Sequence, residues 1–295
     1  MPATYNDLYL DARRALKAAG VEQAQLEARE LLCRASGKTR EDLLRDLPLY
    51  APDGVTARFQ GLMARRMAGE PVAYLIGEWE FYGLTLDVCR DVLIPRPDTE
   101  TLVERGILFL RDLPEGARVL DLCAGSGCVG LAIADNCPGA HVILAEWSDD
   151  ALRICRQNIL RCALSQQASA AQVDALEPPP RLLRDFDLIL CNPPYIPTLE
   201  VAHLDPSVRD YEPRLALDGG EDGLKFYRAV AKKWKCALAP GGKLIFEVGY
   251  NQAPAVKRIL GQNGYQDIRT TMDPGMHWRV VEGSAERRAA SELGA

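Results

Sequence analysis

The segment Val119-Leu120-Asp121-Leu122-Cys123-Ala124-Gly125-Ser126-Gly127-Cys128 constrains the fold more than any other. An apolar strand runs into a glycine turn and then into a helical stretch around 128–136. Glycines at such a turn permit unusual backbone angles and let the main chain approach a ligand closely. A Gly-x-Gly turn alone is common and serves as often as a plain strand-to-helix connection. Its surroundings say more. The strand candidates are Arg118–Leu122, His141–Glu146, Asp185–Cys191 and Lys243–Val248, with helical stretches around 149–163 and 223–238. This alternation predicts an α/β domain with a parallel sheet flanked by helices. Residues 265–270 and 277–282 are placed to supply the last strands, an antiparallel edge among them.

The first 70 residues have a different period. Leu8, Ala12, Ala15, Leu16 and Ala19 recur at helical spacing before Gly20, and Leu26, Leu31 and Leu32 before Gly37. Thr39 with Asp42 fits a capping box, and Val55, Phe59, Leu62 and Met63 mark a fourth helix closed by Gly69. Residues 1–72 are therefore expected as a small helical bundle that recognises the substrate. Trp79–Phe81 and Leu84–Val88 alternate around Gly83 and predict a β-hairpin, with 73–92 as a link to the main domain. The stretch Ile94-Pro95-Arg96-Pro97-Asp98-Thr99-Glu100 reads as a stiff turn into a helix capped by Asp98 or Thr99. The main domain is expected over 93–283 and a flexible tail over 284–295.

Composition narrows the function classes. Of 295 residues, 47% are hydrophobic and 26% charged, as in an ordinary globular protein. No apolar run reaches the roughly 18 residues of a membrane span, and no secretory h-region opens the chain. Nine cysteines without a C-x-x-C pair read as reduced core thiols of a cytoplasmic protein, and three scattered histidines predict no metal site. The net charge of −6 offers no basic footprint for phosphates, so no direct nucleic-acid partner is expected.

The second strand ends at Glu146, nineteen residues beyond Gly127. A carboxylate there is placed to grip the ribose hydroxyls of a nucleotide-like ligand. The turn lacks the full G-x-G-x-x-G spacing that packs a pyrophosphate. A compact adenosine ligand, S-adenosylmethionine, fits better than a dinucleotide. Asp121 is then placed for the ligand's cationic end, and Asp174 for the adenine amino group.

The run Asp187-Leu188-Ile189-Leu190-Cys191-Asn192-Pro193-Pro194-Tyr195 carries the reaction. Asn192 brings one carbonyl acceptor and one NH₂ donor group to the end of a buried strand. Its two prolines stiffen the backbone and leave the Pro193 carbonyl open. Two acceptors at the sheet edge suit an amide or amine NH₂, with Tyr195 covering the planar group. An amide nitrogen is a poor nucleophile, and holding both hydrogens turns its lone pair toward the methyl donor.

The chain resembles the bacterial release factor glutamine methyltransferases over nearly its whole length. The matching segments are Gly77-Glu78 with Glu80–Leu84, Leu93–Glu100, Asp121–Gly127, Asn192–Ile196, Glu212–Leu217 with Gly219, Gly220 and Asp222–Leu224, and Phe246–Gly249. Asn-Pro-Pro-Tyr is shared with adenine-specific nucleic-acid methyltransferases, whereas Ile-Pro-Arg-Pro-Asp-Thr-Glu and Glu-Pro-Arg-Leu-Ala-Leu are narrower. The resemblance implies a Rossmann-like, seven-stranded class I methyltransferase domain beside the N-terminal bundle. It implies transfer to the side-chain N5 of the glutamine in the Gly-Gly-Gln loop of class I peptide chain release factors. S-adenosylmethionine would lie on Asp121, Cys123, Ala124, Gly125, Ser126, Gly127, Glu146, Asp174 and Asn192, and the glutamine on Asn192, Pro193, Pro194 and Tyr195. The catalytic set would be Asn192, Pro193 and Tyr195. Cys123-Ala124 stands for the commoner Gly-Thr, Glu146 for Asp, and Ala175 where relatives place an aromatic. Alternatives are a ribosomal-protein glutamine methyltransferase and a nucleic-acid adenine N6-methyltransferase.

Overall fold

The structure, a computed structural model, describes residues 2–286. The chain divides into two compact units. One runs to Glu78 and also takes in Asp205–Tyr211; the other comprises Trp79–Leu204 and the residues from Glu212 on.

The first unit holds α1 (Tyr5–Ala18), α2 (Ala24–Ser36), α3 (Arg40–Asp46), α4 (Asp53–Met67) and α5 (Val72–Ile76). Thr4 opens α1 with a reciprocal cap: its hydroxyl accepts from the Asp7 amide at 3.1 Å, and the Asp7 carboxylate accepts from the Thr4 amide at 2.9 Å. Thr39 caps α3 through its side chain alone, the hydroxyl accepting from the Asp42 amide at 3.1 Å and donating to the Asp42 carboxylate at 2.9 Å. Leu8, Ala12 and Leu16 meet Leu31, Leu32, Leu43 and Phe59 in the core of this unit. The fifth helix falls on residues expected to begin the hairpin segment. Five apolar residues in a row, Val72–Ile76, are too few to show a helical period, but Ala73 and Leu75 are buried there.

The second unit opens with a hairpin, β1 (Glu78–Phe81) and β2 (Leu84–Asp87). Phe81 and Leu86 lie in its core, and the Asn158 side chain bonds both the amide and the carbonyl of Asp87. The elements that follow are α6 (Glu100–Leu110), β3 (Arg118–Leu122), α7 (Cys128–Asn136), β4 (His141–Glu146), α8 (Asp149–Arg161), β5 (Ala168–Gln172) and β6 (Phe186–Cys191). After α9 (Thr198–Val201) and α10 (Pro206–Arg209, a piece of the first unit) come α11 (Lys225–Lys233), β7 (Leu238–Glu247), α12 (Ala253–Gln262), β8 (Gln266–Met272) and β9 (Trp278–Ser284).

The sheet order is β5-β4-β3-β6-β7-β9-β8. Neighbours from β5 to β7 pair in parallel, and β9 runs antiparallel to both β7 and β8. Both faces are covered: Leu102, Leu131 and Leu144 pack on one side, and Tyr227, Trp234 and Phe246 on the other. The edge strand β5 was not among the expected strands, because Ala-Ser-Ala-Ala-Gln has no large apolar side chain to betray it. Its register places Glu146 beside Gln172. Strand β9 continues through Ser284, so the expected tail from 284 starts inside the sheet; residues 287–295 of that tail lie outside the described residues.

All nine cysteines are free thiols. Among the described residues no group of His, Cys, Asp or Glu is placed to hold a metal ion, and no helix is long and apolar enough to cross a membrane.

Candidate active site

The centre of the sheet gathers two turns at the carboxyl ends of adjacent strands. The register sets Leu122 of β3 beside Cys191 of β6, so the glycine turn and Asn192 leave the sheet side by side. Such a crevice is where open α/β sheets bind ligands.

The turn is built for close approach. Cys123 holds φ +66°, Gly125 +55° and Gly127 +83°. Left-handed angles suit glycine and strain a cysteine, so Cys123 is held there against its backbone preference. Nothing lies within 4 Å of where a Gly125 Cβ would point, so that face is open. The Glu146 carboxylate braces the turn, accepting from the Gly125 amide at 2.9 Å and the Ser148 amide at 2.8 Å. Ser126 Oγ is buried without a hydrogen-bond partner. A half-buried carboxylate, an open glycine face and an orphaned hydroxyl together fit an adenosine ligand with hydroxyls to donate.

Asp121 also supports the helix that follows the turn. It is 1% exposed, and its Oδ2 accepts from the Gly130 amide at 2.8 Å, capping the first turn of α7. Burial raises its carboxyl to about 7, against the Gly130 hydrogen bond, with the Glu146 charge adding a smaller push. Asp174 accepts from the Leu176 amide at 2.8 Å in its own loop. Ala175 is buried, and its carbonyl accepts from the Trp234 indole at 3.1 Å.

The acceptor loop is held from three sides. Asn192 donates from Nδ2 to the Thr99 hydroxyl at 3.4 Å, which leaves Oδ1 as the free acceptor of that amide. Pro193 and Pro194 are buried and Tyr195 half-buried. Ile196 exchanges backbone hydrogen bonds with Leu217 at 3.0 Å and Gly219 at 2.8 Å. Gln252 donates to the Tyr195 carbonyl at 2.8 Å and accepts from the Gly249 amide at 3.0 Å. Burial pushes the Tyr195 phenol well above its ordinary range, so the ring enters the site neutral.

Thr99 corrects a reading of the sequence. It precedes α6 but makes no side-chain cap; its hydroxyl, 2% exposed, goes to Asn192 instead. Arg96 pairs with the buried Glu212, whose Oε2 also accepts from the Ile94 amide at 3.3 Å. The Ile94–Glu100 and Glu212–Leu217 segments are thus one structure. Thr99 and Gln252 escaped the sequence reading because nothing local marks a threonine or glutamine as a support for a distant loop.

The parallel sheet with its antiparallel end, the glycine turn, the strand-four carboxylate and the Asn-Pro-Pro-Tyr loop define a methyltransferase of the Rossmann-like kind. A model of the PrmC N-terminal domain matches residues 7–77, and one of the methyltransferase small domain matches residues 103–204. The release factor glutamine methyltransferase of Geobacter sulfurreducens is 42% identical over 268 residues, covering 90% of this chain and 90% of that one. Its counterpart from Caulobacter vibrioides is 37% identical over 286 residues, 96% of this chain and 97% of that one. The solved hMettl16 catalytic domain, in complex with the MAT2A 3'UTR hairpin 6, superposes with a TM-score of 0.57 at 17% identity. That match covers 78% of this chain and 84% of the other, and speaks for the fold alone. The chain belongs to the release factor glutamine methyltransferase family.

Proposed function

We propose that the chain transfers the methyl group of S-adenosylmethionine to the side-chain N5 of the glutamine in the Gly-Gly-Gln motif of class I peptide chain release factors. The observation that carries the reading is the Asn192 amide. Its donor end is turned to Thr99 and its acceptor end is free at the carboxyl edge of β6, beside the glycine turn. Asn192 Oδ1 and the Pro193 carbonyl accept the two hydrogens of the glutamine NH₂, and Tyr195 covers the planar amide. The cofactor rests on Cys123–Gly127 with Glu146 at its ribose, Asp121 beneath the turn and Asp174 near adenine. When bound, it supplies a methyl group already activated by its sulfonium. The residues' contribution is positioning and stabilisation of the charge that develops on the attacking nitrogen.

The test is methyl transfer from labelled S-adenosylmethionine to a purified release factor, with a Gly-Gly-Gln variant lacking the glutamine as control. Label on the intact factor and none on the control supports both substrate and site. Absence of label, with cofactor binding demonstrated, sends the search to ribosomal proteins and then to nucleic acid.

Asp121 adds a pH dependence. Its carboxyl is mostly neutral below about pH 7, and a cationic ligand near it favours the ionised form. Cofactor affinity is therefore expected to rise with pH and level off above 7, the gap between pH 6 and 8 reaching about tenfold. Asp121→Asn, which keeps an acceptor for the Gly130 amide, should flatten the profile in calorimetric titrations. An unchanged profile would remove Asp121 from the cofactor's charge balance.

The N-terminal unit is the proposed recognition domain. Leu44, Leu49, Tyr50 and Met67 are large apolar side chains exposed on it. Replacing Leu49 and Tyr50 together by alanine should raise KM for the release factor about tenfold, as for loss of an interface anchor, with cofactor affinity unchanged. An unaltered KM would place docking elsewhere.

A further inference from the structure

Four glutamates of the described chain are buried. Three are paired: Glu70 with Arg65, Glu212 with Arg96, and Glu282 with both Arg105 and Lys243. The fourth, Glu247, is 2% exposed and makes no ion pair at salt-bridge distance among the described residues. Its Oε2 is fully buried without a hydrogen-bond partner. A buried, unpaired carboxylate oxygen is costly, and proteins retain such groups mainly where function requires them.

Its place in the sheet points to that function. The register sets Cys191 beside Phe246, so Asn192 and Glu247 follow side by side at the ends of β6 and β7. The Thr99 hydroxyl and the Asn192 side-chain amide both favour the ionised carboxylate, as nearby donors do. Thr99 Oγ1 also accepts from Asn192 Nδ2 at 3.4 Å. Thr99, Asn192 and Glu247 thus form one cluster, joined by the Asn192–Thr99 hydrogen bond and by the register of β6 and β7. An ionised carboxylate only accepts, so the side of Asn192 that faces it must be the NH₂. An amide turned the other way would set its oxygen against the carboxylate.

We propose that Glu247 is a positioning residue for methyl transfer, holding the Asn192 amide in the orientation that presents Oδ1 to the substrate NH₂. The inference deepens the proposed function and rests on Asn192 being the acceptor of that NH₂. Burial raises the Glu247 carboxyl to about 7, opposed by the Thr99 hydroxyl, the Arg279 charge and the Asn192 amide. Above neutral pH the acceptor form prevails.

Two variants separate positioning from space-filling. Glu247→Gln keeps the shape but brings an NH₂ that competes for Asn192 Oδ1. Glu247→Asp loses a methylene and keeps the pure acceptor. A positioning role predicts that Gln lowers kcat about 10–100-fold, the usual cost of losing a group that orients a functional side chain. KM for the release factor and cofactor Kd should stay within about threefold, and Asp should retain more rate than Gln. A role in packing alone predicts the reverse ranking.

A second readout needs no substrate. The Asn192 side-chain ¹⁵NH₂ pair, identified by its absence in Asn192→Asp, should shift and exchange faster with water in Glu247→Gln. Identical Asn192 signals in the two proteins overturn the proposal, as does a Glu247→Gln kcat within about twofold of wild type. Should the wild-type enzyme leave release factor unlabelled, the substrate reading fails, and the Asn192 resonance still decides the role of Glu247.

Discussion

Asn192→Ala is expected to slow methyl transfer by roughly 10²–10³-fold, the scale seen when a preorganised polar group is removed from a developing charge. The substrate nitrogen is delocalised into its carbonyl and attacks only when both hydrogens are held. On the proposed reading, alanine removes one of the two acceptors while Pro193 keeps the other. It also strands the Thr99 hydroxyl, which has accepted from Asn192 at 3.4 Å, and removes a polar neighbour that favours the ionised Glu247. The cofactor turn is braced independently by Glu146 through the Gly125 amide, so cofactor affinity should hold. Single-turnover transfer with saturating cofactor is the measurement, and a loss below about tenfold would sink the role. Asn192→Asp should fail as badly, because it sets a second carboxylate beside Glu247.

The second large effect comes from a residue with no functional group. A Cβ on Gly219 would lie 2.7 Å from Tyr195 Cα, 2.8 Å from the Pro194 carbonyl oxygen and 2.8 Å from the Tyr195 carbonyl carbon. All three are backbone atoms, so no rotamer change relieves the clash. The Asn-Pro-Pro-Tyr loop has to move, and a shift of about 1 Å in a positioning element costs on the order of 10²-fold in rate. Gly219→Ala is therefore expected to lose about that much, together with about 1–3 kcal/mol of stability from overpacking. Gly61→Ala is the matched control. It lies in α4 with nothing within 4 Å of the added carbon, so rate should be unchanged and stability slightly raised. Turnover and melting temperature of both variants decide the matter. A Gly219→Ala enzyme with normal kcat would show that the loop is not held where this contact places it.

Both effects bear on what could be seen before any coordinates. The Thr39 cap, the helical spacing of Leu8, Ala12 and Leu16, and the apolar strands around Leu120 and Ile189 are local signals, and each appears in the structure where the sequence placed it, though Thr39 makes only one arm of the expected box. Strand β5 lacked a signal because its side chains are small, and α5 because it is short. The expected helix over 223–238 stops at Lys233, where a 3-10 turn at Lys235–Ala237 leads into β7, five residues before the strand was expected.

Legible in the sequence were the α/β class, the glycine turn, the strand-end acid at Glu146, the Asn192–Tyr195 turn and, through the narrow segments around Arg96 and Glu212, the family. These are patterns within a few residues, written by backbone angles and side-chain period. Only the tertiary structure decided what supports them. Thr99 meets Asn192 across 93 positions of chain, Gln252 meets Tyr195 across 57, and Glu247 stands beside Asn192 only because β6 and β7 are neighbours in that register. It also joined Asp121 to the Gly130 amide, so that one oxygen of this carboxylate caps α7. The physical reason is that strand order and register arise from the packing of the whole sheet. A partner chosen at that level leaves no periodic trace near the residue that needs it.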